Sequence, residues 1–66
     1  MSLKKYWEKN VVLISKNNKL YKGMVNDYVY PEDNENGLES IIIDAIGYEY
    51  PMEFYEDEIK SIEIVK

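Results

Sequence analysis

The run from Lys19 to Tyr30 constrains this chain more than any other part of it. Lys19-Leu20-Tyr21-Lys22-Gly23-Met24-Val25-Asn26-Asp27-Tyr28-Val29-Tyr30 reads as one long strand with a glycine near its first third. Tyr21, Gly23 and Val25 share one face, with Leu20, Lys22, Met24 and Asn26 on the other. A strand of that length in a chain of 66 residues cannot lie flat. Glycine inside a strand packs nothing, so it marks a bulge, a sharp bend or a close backbone approach. Gly23 is therefore where the bend is expected, and a long, bent second strand is the mark of a small closed β-barrel.

The remaining segments fit four further strands. Val11–Ser15 is apolar on both faces, as a strand covered on two sides would be. Asn17-Asn18 supplies a tight turn into the long strand, because Asn tolerates positive φ. Pro31 ends that strand, since it cannot donate to a ladder. A polar loop, Glu32-Asp33-Asn34-Glu35-Asn36-Gly37, follows. Leu38–Ala45, centred on Ile41-Ile42-Ile43, is a central third strand. After a turn at Ile46-Gly47-Tyr48, Glu49–Tyr55 alternates as a fourth, with Tyr50, Met52 and Phe54 on one face. Glu56-Asp57-Glu58 reads as a single turn of 3-10 helix, and Ile59–Val65 as the fifth strand. Ser2–Lys9 is read as a short N-terminal helix or arm placing Leu3, Tyr6 and Trp7 on one face. Ser2 is its candidate N-cap, and Lys5 stands where a capping box wants Glu or Gln. The whole is one mainly β domain, a five-stranded SH3-like or Sm-like small barrel with a 3-10 turn before the last strand.

Composition narrows the chemistry. A domain this small buries only about 60% of its unfolded surface and usually needs a staple. Cys and His are both absent, so a disulfide is excluded and a zinc or other transition-metal site is not expected. What remains is an aromatic core, for which seven Tyr, Trp7 and Phe54 are available, or association with another chain. Thirteen acidic residues face eight Lys and no Arg, for a net charge of −5. Phosphate recognition favours local Lys and Arg excess, so nucleic acid is an unfavoured partner. No apolar run long enough for a membrane span occurs, and Met1–Glu8 lacks the apolar stretch of a signal peptide. A cytoplasmic protein is the expectation.

Val11-x-Leu13, followed by Lys16-Asn17-Asn18-Lys19-Leu20-Tyr21-Lys22-Gly23-Met24-Val25, resembles the first half of the first Sm motif. That motif places an aromatic residue two positions before a glycine. Phe54, Ile59 and Ile62 are similar to the apolar frame of the second. The resemblance is to the Sm/LSm family, and it implies an N-terminal helix over a five-stranded barrel. It also implies subunits that pair strands four and five edge to edge. Members that bind RNA carry Asp and Asn late in the first motif and Arg-Gly in the second. Here those positions fall on Val29 and on Tyr55-Glu56. The C-terminal run Glu53–Ile64 is also similar to that of short Gram-positive bacterial proteins, a resemblance that carries no activity with it.

Each candidate site has a plainer reading. Taken as an EF-hand, the acidic loop puts Glu32 at position one and Ile43 at position twelve, where a bidentate Glu is required; it reads as a solvated turn, and no metal or other cofactor is expected. Glu49, Glu53, Glu56, Asp57 and Glu58 have no His to work with in acid–base chemistry, so the chain is read as no enzyme. Tyr28, Tyr30, Tyr48, Tyr50 and Tyr55 fit either a groove for a proline-rich peptide or a protein-contact surface with apolar bodies and wet tips. Ile62 and Ile64, beside Lys60 and Glu63, make the last strand a partly guarded edge suited to self-association. Gly23, Tyr21 and Val25 are structural. The expected function is non-enzymatic, through a protein partner or a homo-oligomer. An atypical RNA-binding barrel and an SH3-like peptide-binding module are the alternatives.

Overall fold

The structure, a computed structural model, describes residues 2–65. Five strands, β1 (Asn10–Ser15), β2 (Leu20–Val29), β3 (Ser40–Ala45), β4 (Met52–Tyr55) and β5 (Ile59–Ile64), form one antiparallel sheet in the order β4-β3-β2-β1-β5. Its ladders leave β4 and β5 as edges that do not pair with each other. They are joined instead by the expected 3-10 turn, Glu56–Glu58, where the chain changes direction. This turn is anchored at both ends. The Glu56 amide donates to the Glu39 carbonyl at 3.0 Å, and the Lys16 amide donates to the Glu58 carbonyl at 2.9 Å. Within it, the Tyr55 amide donates to Glu58 Oε1 at 3.0 Å, one arm of a capping box.

β2 holds the sheet together by changing partner along its length. Leu20–Met24 pairs with β1, and Gly23–Val29 pairs with β3. Gly23 therefore lies between Val11 on one side and Ala45 on the other. Its φ is not positive; what the position demands is closeness. A Cβ built there would run into the Asp44 carbonyl oxygen and stand 2.8 Å from Ala45 Cα. Of the three roles a strand glycine can have, Gly23 takes the close backbone approach. The register shift belongs two residues on, between Val25 and Asp27.

Burial follows the alternation read from the sequence. Val11, Leu13, Tyr21, Val25, Ile41, Ile43, Phe54 and Ile59 form the core, with Leu3, Tyr6, Ala45 and Ile62. On the opposite face Val12, Ile14, Met24 and Ile42 are only half-buried. The positive φ at Asn18 (66°) and Gly47 (88°) fits the two turns assigned to them.

Three expectations change. The N-terminal helix over Ser2–Lys9 is a single 3-10 turn, Lys4–Tyr6, with Leu3 at its N-cap and no side-chain cap. Starting a helix costs more than one uncapped turn returns, and Glu8, at φ 64°, turns the chain into the sheet. That turn still buries Leu3 and Tyr6 completely enough to join the core, while Trp7 stays 39% exposed and donates from Nε1 to the Asn26 carbonyl at 3.3 Å. The fourth strand starts at Met52 rather than Glu49, because Pro51 has no amide to give the ladder. The third starts at Ser40 rather than Leu38, since the loop before it folds back. Asn34 Nδ2 donates to the Leu38 carbonyl at 2.7 Å and to Ser40 Oγ at 3.1 Å, and Ser40 Oγ donates to Glu53 at 2.7 Å.

Candidate functional site

The five tyrosines expected to share a contact surface are divided among several places. Tyr28 and Tyr30 stack edge to face, with ring centroids 5.1 Å apart, and Lys4 Nζ lies 5.1 Å from the centre of the Tyr30 ring. Glu39 ties this group to the N-terminal turn by accepting the Leu3 amide. Burial, together with the nearby Glu39 carboxylate, raises the Tyr28 hydroxyl above its ordinary value of 10.0. Contact with Tyr30 raises the Lys4 ammonium above 10.5.

Tyr48 lies elsewhere, its ring 5.3 Å from that of Tyr21, which in turn sits 5.0 Å from Phe54. Tyr50 is the most exposed of the five at 72%. Tyr55 lies at the end of β4, and the Glu53 carboxylate is the main cause of its raised pKa. Among the edge residues, Ile62 is in the core opposite Leu13, so it serves packing rather than contact. Ile64, opposite Val11 and 44% exposed, is the one of the pair that reaches solvent. Tyr21 and Val25 are core residues, as expected of structural positions.

The positions onto which the Sm resemblance carries RNA-contact residues do come together. Val29 and Tyr55 are both paired with Ser40, on opposite sides of β3. They bring an aliphatic and a phenolic side chain, with Glu56 next in sequence, so the place holds no cation for a phosphate.

A feature missed in the strand-by-strand reading is the distribution of charge. All eight Lys lie before Gly23 or after Ile59, and the span between carries eleven carboxylates and no Lys. That span contains β3, β4 and the second half of β2. The β4 side of the sheet is thus strongly acidic, while every lysine belongs to the N-terminal turn, to β1, β5 and the start of β2, or to their flanks. The signal was present in the sequence, but it became a polarity only once the strand order placed β4 and β5 at opposite edges. Exposed apolar side chains accompany it on the lysine-rich side: Leu20 is 55% exposed, Ile46 78% and Val65 48%. Among the described residues, no group of three or more acidic side chains is arranged to hold a metal ion, and no helix is long and apolar enough to cross a membrane.

Fold and surface together define a small all-β domain with two unpaired sheet edges and a strongly polarised charge. Compared with known families, characterised proteins and solved structures, the chain has no match.

Proposed function

We propose that this chain is a non-enzymatic small barrel of the Sm-like type that acts through protein contacts, chiefly between copies of itself. The observation that carries the reading is the coincidence of two free edges with opposite electrostatic character. An unpaired strand edge offers a row of amides and carbonyls to another chain. When the two edges differ in charge, like edges repel and unlike edges attract, which favours head-to-tail contacts over isologous ones. Head-to-tail contacts close into rings when the rotation between copies allows. The acidic edge is β4, with Glu53 on it and Glu49 and Glu56 close by in sequence; the other is β5, with Lys60 and the exposed Ile64. Neither edge is long, which is consistent with partners that assemble rather than aggregate.

The absence of Arg and the carboxylates around Val29 and Tyr55 weigh against the RNA-binding alternative. The scattering of the tyrosines weighs against a peptide groove. Light scattering on the purified chain tests the reading: a mass that is a multiple of 7.9 kDa is expected, and a monomer at every concentration up to the solubility limit would remove it.

A further inference from the structure

A cavity of about 390 Å³ opens between the β1–β2 turn and the 3-10 turn Glu56–Glu58. Tyr21 and Phe54 form its apolar wall, and Ser15, Asn17, Asp57 and Glu58 line the rest, with Lys16 as the one cation. Apart from Lys16, the polar lining is mostly oxygen. Ser15 Oγ donates to Asn17 Oδ1, and Asp57 and Glu58 are exposed carboxylates.

Tyr21 is the second, independent observation. The residue is 92% buried, and its hydroxyl has no hydrogen-bond partner among the described residues. No fully buried side-chain polar atom is left without a partner, so this hydroxyl keeps an opening, and the cavity is the space that Tyr21 lines. A polar tip left free at the inner end, aromatic faces along the wall and carboxylates at the rim suit one kind of guest. Its methylene stem would lie on the rings and its charged end among oxygen acceptors.

We propose that this cavity binds a primary alkylammonium group, either that of a small amine or that of a lysine side chain from another chain. The site is independent of the self-association proposed above, because it lies at the turn end of the sheet and needs no free edge.

Backbone amide shifts followed by NMR during titration with n-butylammonium chloride at constant ionic strength test it. Saturable shifts at Ser15, Asn17, Tyr21, Phe54 and Asp57 are expected, with affinity in roughly the millimolar range for so small a ligand. Asp57→Asn should weaken binding by about tenfold, the loss of one charge-assisted contact. Lys16→Ala should tighten it, by removing a like charge. Neutral n-butanol should not saturate the site. Nα-acetyl-lysine amide separates the two sources: binding as tight as that of butylammonium marks a lysine side chain, and exclusion marks a free amine. The proposal is overturned if butylammonium shifts do not saturate, if n-butanol binds equally well, if Asp57→Asn has no effect, or if Lys16→Ala weakens binding.

Discussion

At Gly23 one hydrogen in place of a side chain lets two backbones meet. The Ala45 Cα would lie 2.8 Å from a Cβ there, closer than a stable contact permits, and both atoms belong to backbones that cannot swing aside. Gly23→Ala should therefore destabilise the fold by about 1–3 kcal/mol, the range seen when a packed interior is forced apart. A shift in the denaturant midpoint at unchanged m-value measures it. The same substitution at Gly37 has free space around it but a φ of 72°, so its smaller cost has a different cause. The ionisable residues predict a one-sided pH dependence. Tyr28, Tyr55 and Lys4 all hold their protons more tightly in the folded chain than their ordinary values of 10.0, 10.0 and 10.5. The folded state thus binds more protons than the unfolded one on the alkaline side, and stability contributed this way is present below pH 10 and lost above it. Urea midpoints should fall as pH rises through 10, and Tyr28→Phe should make that fall shallower.

The elements show how much could be read in advance. All five strands, both tight turns and the 3-10 turn before β5 were legible, because alternation, Asn and Gly turn chemistry and Pro31 act within a few residues. The strand limits that moved did so for reasons that are not local. Leu38 and Glu39 leave the third strand because Asn34 holds the loop against it. The N-terminal helix shrank to three residues because its value lies in tertiary burial: Leu3 is fully buried although its turn has no cap. Leu3→Ala should cost about 2–5 kcal/mol, as for a fully buried leucine elsewhere, whereas Ser2→Ala, which removes the cap expected from sequence, should leave thermal stability unchanged. Of the candidate contact residues, burial of Ile62 and the separation of Tyr28 from Tyr48 depend on which strands become neighbours, and no local pattern encodes that.

At the scale of the whole molecule, the strand order turns an uneven sequence into a polar object. Eleven carboxylates without a lysine between Gly23 and Ile59 would be only a compositional bias in a chain folded otherwise. With β4 and β5 at opposite edges, the bias becomes a direction. The core is small for a chain lacking disulfide and metal, and contact with further copies is a source of stability open to it. Sedimentation velocity at low and high salt, about 0.05 M and 0.5 M, addresses this most directly, because the longer Debye length at low salt leaves attraction between unlike edges unscreened. Head-to-tail assembly predicts a discrete species, several times 7.9 kDa, that dissociates toward monomer as salt rises. A single monomeric boundary at both salt concentrations, or an assembly that strengthens with salt, would contradict it.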